Sequence, residues 1–214
     1  DTITSFSTPL CGDNDPESIA VDTGRGHLIL TDGLDSEVFD IAPGPNGVFD
    51  GCAPSGDDTS THFDTSSMGI ADPEGVEYNP DTGTIYITGA SATTVVEATT
   101  SGTLLRVVDI SFLNPYSPSG LAYAPSSVNP AVKNLYIADR GIDNNDDPIE
   151  NDGKVFEISL GQGGPLTFPP LADTRVQDNT PTTNYGTSST IRSESARRPP
   201  TNNRGIGKQR RARV

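Results

Sequence analysis

The sequence predicts an all-β fold made of β-propeller blades, three four-stranded repeats, and a composition, a repeat and an alternation predict it. Gly (22) and Pro (18) are abundant in the 214 residues, while Leu, Ile, Val and Phe together number only 46. That balance favours short strands joined by many turns over a helical bundle or coiled coil. The chain also matches itself without gaps at an offset of 57: Asp15-Pro16-Glu17-Ser18-Ile19-Ala20-Val21-Asp22 falls on Asp72-Pro73-Glu74-Gly75-Val76-Glu77-Tyr78-Asn79, and Leu28-Ile29-Leu30-Thr31 on Ile85-Tyr86-Ile87-Thr88. A third copy lies 45 residues further on, with Pro118–Tyr123 and Leu135–Asp139. Repeats of about 40–50 residues holding several short strands read as propeller blades.

Alternating apolar positions place the strands within each copy. Ile19/Val21, Val76/Tyr78 and Leu121/Tyr123 begin the copies. Leu28/Leu30, Ile85/Ile87 and Leu135/Ile137 form second strands, and Val38-Phe39, Val95-Val96 and Val155-Phe156 third strands. Ile3–Phe6, Thr61–Phe63 and Leu104–Val108 are expected as fourth, outer strands. The chain then opens on an outer strand and closes on a third strand, as in a ring-closing clasp. Three blades do not close a ring, since propellers typically have four to eight. The expectation is a segment of a longer, six-bladed ring, or a ring completed by another chain.

Charge divides the chain. Residues 1–191 hold 28 acids and 6 bases, and residues 192–214 hold one acid (Glu194) and 8 bases. The acidic body repels nucleic acid and anionic membranes and suits divalent cations and an extracellular setting. The basic tail has no apolar periodicity and reads as disordered. No stretch approaches the ~18 consecutive apolar residues of a membrane span. No basic-then-apolar leader follows Asp1, so any signal peptide is expected to have been removed or left out.

The copies DPESIAVDTGRGHLILTDG and DPEGVEYNPDTGTIYITG, with LYIADRGIDNNDDPIENDGKVFEISL, resemble secreted bacterial six-bladed propellers of the broad NHL and phytase-like group. The resemblance covers residues 1–160 and implies a fold more than an activity, because that group mixes enzymes, binding proteins and scaffolds. Residues 161–171 read as a linker. Residues 172–191, within ADTRVQDNTPTTNYGTSSTIR, are similar to the opening of the DNRLRE domain, a carbohydrate-binding β-sandwich of secreted proteins. Residues 192–214 are the basic tail.

Strand order brings many carboxylates to one face, the end at which the innermost strands begin. Asp13, Asp15 and Glu17 collect there with Asp32, Asp35, Asp72, Glu74 and the segment Asp139–Gly153. A divalent cation would offset their repulsion, and oxygen ligands favour calcium over zinc. The metal candidates are Asp139, Asp143, Asn145, Asp147 and Asp152. The Asp143/Asn145/Asp147 spacing copies the start of an EF-hand loop, but Pro148 and Lys154 stand where Gly and Glu belong. The loop is either a calcium site or a turn-rich segment whose Asp and Asn side chains cap their own backbone. Glu17 and Glu74 begin innermost strands and are the channel-face acids. In phytase-like propellers, which the motif resembles, such acids hold calcium ions that bind phosphate. Ser119 departs from that pattern in the third copy, and the alternative is that Asp-Pro-Glu sets a turn and starts a strand.

His27 and His62 lie on strands at opposite ends of one blade and read as surface or packing residues, with no Ser/His/Asp arrangement or H-E-x-x-H motif. Cys11 and Cys52, the only cysteines, form a possible disulfide in a secreted protein. Topology argues against it, because the loops that carry them are expected on opposite faces of a blade, and a bridge needs Cα atoms within about 7 Å. The expected role is a secreted, calcium-stabilised binding or scaffold module at the cell surface or in extracellular matrix. Its expected partners are extracellular polysaccharide or further copies of itself, not nucleic acid. A calcium-dependent hydrolase of phytase-like or lactonase-like kind is the alternative, as is a self-assembling structural protein. If the 143–147 loop holds calcium, Asp147→Ala lowers the melting temperature in calcium and leaves it unchanged in chelator; an equal loss in both would mean ordinary turn chemistry.

Overall fold

A computed structural model describes residues 4–142 and 152–161. These lie in the first of two compact units, Asp1–Leu171. The DNRLRE-like segment and the basic tail lie outside the described residues.

Among the described residues, eleven strands form three antiparallel sheets. The first holds β1 (Pro16–Asp22), β2 (His27–Asp32), β3 (Glu37–Ala42) and β4 (Thr59–Asp64) in that order. The second repeats it with β5 (Pro73–Asn79), β6 (Thr84–Gly89), β7 (Thr94–Thr99) and β8 (Leu104–Asp109). The third has β9 (Pro118–Pro125), β10 (Lys133–Asp139) and β11 (Lys154–Ile158). Each is an up-and-down meander, and the described residues are all-β, arranged as three propeller blades.

The β1–β2 and β5–β6 turns follow directly from the repeat. In the first, the Asp22 carboxylate accepts the Gly24 and Arg25 amides and Gly26 N–H donates to the Asp22 carbonyl. In the second, Asn79 accepts the Asp81 amide and Gly83 N–H donates to the Asn79 carbonyl. Gly26 and Gly83 have φ of 74° and 70°, a left-handed conformation that glycine adopts without strain.

Side chains alternate between the two faces of each sheet, so each interior blade needs two apolar faces. Ala20, Ile29 and Val38 of the first blade pack on Val76, Tyr78, Ile85, Ile87 and Val96 of the second. Tyr86, Val95 and Val108 on the opposite face of the second blade pack on Leu135, Ile137, Phe156 and Ile158 of the third. All six residues of β6 are buried. The innermost strands converge: a Cβ on Gly75 would lie 3.3 Å from the Gly120 Cα, and Val76 N–H donates to the Ser18 hydroxyl at 3.3 Å.

Two expectations are corrected here. Thr61–Phe63 and Leu104–Val108 lie in outer strands as expected, but Phe6 does not. Its side chain packs instead beside Cys11, Leu30, Phe39, Ile41 and Cys52, on the first blade's face away from the second. Cys11 and Cys52 are bonded, with Cα atoms 5.1 Å apart, against the topological argument. The reason is the connection between β3 and β4, which folds back over that face. Phe49 and Cys52 from this loop meet Phe6 and Cys11 from the amino-terminal segment over Leu30, Phe39 and Ile41. Those apolar side chains need cover, and two loops provide it together. Buried Asp58 ties the loop down by accepting the Gly44, Asp50 and Gly51 amides.

The bridge spans a separation of 41 residues, so Cys52→Ala should destabilise the fold by about 4 kcal/mol through the larger entropy of the unfolded chain. Denaturant unfolding of the variant beside the oxidised parent checks this, and a loss below about 1 kcal/mol would show that the bridge adds little to the cap.

Candidate functional site: the acidic starts of the innermost strands

Each innermost strand breaks register once near its start. The shifts fall between Pro16 and Ser18, between Pro73 and Gly75, and opposite Ala138 and Asp139, which face Gly120 and Pro118. The extra residues are Glu17, Glu74 and Ser119. A bulge re-aims its side chain out of the pleat, and the register break falls at the same position in all three innermost strands. Glu17 comes close to Asp72 beside Gly33, where a Cβ would sit 2.9 Å from an Asp72 carboxylate oxygen and 3.2 Å from Glu17 Cγ. Glu74 is buried and paired with Arg140 of the third blade through two guanidinium nitrogens, at 3.0 and 3.4 Å. Burial pushes the Glu74 carboxyl above its ordinary range, Arg140 opposes that rise, and Glu17 and Asp72 add to it.

The aspartates that end second strands act on the backbone. Asp32 accepts the Asn14, Asp15 and Asp35 amides, and Asp139 accepts those of Tyr116, Ser117 and Gly141. Burial works to raise both carboxyls, and the donated amides outweigh it, holding both below the usual carboxylate range. In the second copy Gly89 takes this position, where the chain passes so close to the Asp72 carbonyl that a Cβ would overlap it. There the Ala90 amide closes the loop on the Asp72 carbonyl at 3.0 Å.

Of the expected cation ligands, Asp139 is thus engaged by its own loop, and Asp152 accepts the Ile142 amide at 2.8 Å. Asp143, Asn145 and Asp147 lie outside the described residues. Sequence reasoning missed another group, Asp50, Asp57 and Asp58, whose carboxylate oxygens lie within 4.8 Å of one another. Asp50 also accepts the Asn46 side-chain amide and the Asp57 backbone amide. The signal was the pair Asp57-Asp58 seven residues after Asp50; what hid it was the fold-back of the loop that the disulfide secures.

Asp13 differs from the other acids. It is fully buried, and neither carboxylate oxygen receives a hydrogen bond. The nearby Asp15 amide donates to Asp32 at 3.3 Å and only partly offsets the rise of the Asp13 carboxyl. Burial and then the Asp32 charge push the Asp13 carboxyl up to about 6.

The histidines belong to the scaffold. His27 bonds Asp40 at 2.6 Å, a contact equivalent to Thr84 with Glu97 (2.9 Å) and Asn134 with Glu157 (2.7 Å) in the other blades. In each, the first or second residue of the second strand meets diagonally an acid of the third strand that is paired two residues further along. In the third blade the Ser127 hydroxyl and Asn134 amide outweigh burial and hold Glu157 down at about 2. His62 stacks on Phe39 with ring centroids 5.3 Å apart and bonds Glu37 at 2.8 Å.

Arg140 carries the only guanidinium hydrogen-bonded to Glu74 among the described residues. Arg140→Ala strands a buried carboxylate, and the expected loss is about 1–2 kcal/mol, below that of a fully buried pair because the Arg140 side chain is half-exposed. Adding Glu74→Gln should return most of it; a double variant as unstable as the single one would show that Arg140 acts through other contacts.

No protein-family model and no curated protein sequence matches the chain. Solved structures do. A luciferin-regenerating enzyme aligns with a TM-score of 0.51 at 14% identity, over 70% of this chain and 46% of its own. A PQQ-bound aldose sugar dehydrogenase from Streptomyces coelicolor aligns with a TM-score of 0.39 at 16% identity, over 68% of this chain and 43% of its own. The chain spans a little under half the length of the luciferin-regenerating enzyme, and at 14% identity that likeness is one of fold alone.

Proposed function

We propose that the chain is part of a secreted, calcium-stabilised β-propeller that serves as a binding or scaffold module at the cell surface or in extracellular matrix. The observation that carries this reading is how the channel-end carboxylates are used. A calcium-dependent hydrolase on this end would use Glu17, Glu74 and Asp139 as ligands, yet Glu74 is paired with Arg140 and Asp139 is saturated by backbone amides, so these two hold the blades and loops together. Glu17 remains exposed. The Cys11–Cys52 bridge supports an oxidising compartment. The Asp50/Asp57/Asp58 group, with oxygen ligands only, supports calcium as the stabilising ion.

Polysaccharide and further copies of the chain are the proposed partners. Ile19 and Val21 on the first blade and Val155 on the third leave apolar side chains exposed on the outward sheet faces, where a blade of the same ring would pack. A larger ring, six-bladed in this reading, would cover them.

The test incubates the chain with phosphate esters and lactones, with calcium and with chelator, and in parallel sediments it with insoluble polysaccharide. The expected result is no turnover above background, with retention on polysaccharide or self-association by sedimentation velocity. Turnover that disappears with chelator would replace the scaffold with the hydrolase.

A further inference from the structure

Neighbouring blades meet through equivalent residues, and the repeat offset of 57 shows where one junction departs from the other. Where the first blade meets the second, the Arg25 side chain lies between two buried acids, Asp22 at 2.5 Å and Asp40 at 2.6 Å. At the next junction the positions of Asp22, Arg25 and Asp40 are taken by Asn79, Thr82 and Glu97. Thr82 is too short to bridge the other two, and its hydroxyl bonds Thr84 beside it at 2.7 Å. The place that Arg25 fills is therefore open. A cleft of about 540 Å³ stands there, with Asn79, Thr82 and Glu97 on its second-blade wall and Tyr123, Lys133 and Asn134 on its third-blade wall. The third copy departs from the repeat as well: its connection at 126–132 is longer than the turns at 23–26 and 80–83, and Val132 adds to the wall.

The walls are prearranged and balanced in charge. Glu97 accepts from Arg106 Nε at 3.1 Å and Nη2 at 2.8 Å, and Lys133 binds Asp81 at 2.8 Å while standing 5.2 Å from the Tyr123 ring centroid. Asn79 is buried, donates to the Tyr86 hydroxyl and accepts the Asp81 amide. Two cations thus meet two carboxylates, so net charge draws neither an anion nor a cation. What the cleft offers is amide, carboxylate and guanidinium groups beside two tyrosines whose ring centroids are 6.1 Å apart. Such a lining suits an uncharged ligand with apolar ring faces and hydroxyls that both donate and accept. The sugar rings of a neutral saccharide have all three properties. The volume falls within the roughly 300–1,000 Å³ of small-molecule sites, with room for a short oligosaccharide.

We propose that this cleft between the second and third blades binds a neutral oligosaccharide segment. Arg106 and Asn134 bond its hydroxyls through Nη1 and Oδ1, which have no hydrogen-bond partner among the described residues, and Tyr123 gives apolar contact. The proposal rests on the reading of polysaccharide as a partner and gives that partner a place on the molecule.

The experiment titrates the full chain by calorimetry with cellohexaose, xylohexaose and mannohexaose, and repeats the sedimentation with insoluble polysaccharide. The parent should bind one of the hexamers. Thr82→Arg puts at this junction the side chain that the first junction already has, and should weaken binding by roughly tenfold or more. Thr82→Ala leaves the cleft open and should bind as the parent does. Thr82 is exposed, so neither variant should shift the melting temperature by more than about 3 °C. Added sodium chloride should leave the affinity unchanged.

A hexamer affinity unchanged in Thr82→Arg, or retention of that variant on polysaccharide as full as the parent's, would overturn the cleft and leave the polysaccharide reading standing. No hexamer bound and no retention of the parent would overturn both. An affinity that fell steeply with salt would mean an anionic ligand, and would overturn the assignment of a neutral sugar.

Discussion

The second blade is the constraint on which the rest depends. β6 is buried along its whole length, with Ile85 and Ile87 turned toward the first blade and Tyr86 toward the third. A strand so enclosed tolerates no unpaired polar group, and its polar members are paired. Thr84 bonds Glu97, Thr88 bonds the Thr94 carbonyl, and the Tyr86 hydroxyl accepts a hydrogen bond from Asn79. Those contacts fix the registers with β5 and β7, and the registers decide which side chains reach each neighbouring blade.

Polar contacts between blades follow from the same geometry. Tyr123 N–H donates to Glu77 and its hydroxyl to Asp81, which also binds Lys133, so the second and third blades are joined there as well as by Arg140 and Glu74. The first and second blades are tied where the Ser36 hydroxyl donates to the Ala71 carbonyl and Thr65 bridges the Ser36 and Ile70 carbonyls. The acidic excess therefore sits on a frame whose few bases are nearly all committed. Arg25, Arg106, Lys133 and Arg140 each pair with a carboxylate.

Sequence carried the blades because a repeat with alternation is a local pattern. The β1–β2 and β5–β6 turns, the second and third strands, and Glu17 and Glu74 as equivalent residues at strand starts could all be read from it. What sequence did not carry was long-range. Phe6 matched Phe63 in the self-alignment and so read as an outer-strand residue, yet it packs in the cap with Cys11 and Cys52, because the face of Leu30, Phe39 and Ile41 needed apolar cover. The disulfide was hidden by the same loop, whose path over the blade no periodicity records. Asp139 read as a cation ligand because its neighbours are acidic, and only hydrogen bonding reveals that backbone amides fill its oxygens. Asp13 looked like one acid among many, and its distinction is that nothing donates to it.

The two outward sheet faces among the described residues are not alike. One presents Ile19 and Val21 beside the disulfide cap, and the other presents Ala122, Ala138 and Val155. A contact joining one to the other is heterologous, so copies that meet this way follow one another head to tail about the channel axis. Such an arrangement closes only when the rotation from copy to copy divides a full turn, and it otherwise winds into an open helix. The spacing of packed blades, closest where Gly75 meets Gly120 on the innermost strands, is then also a symmetry parameter. A change of a methyl group there would alter the rotation for every copy at once.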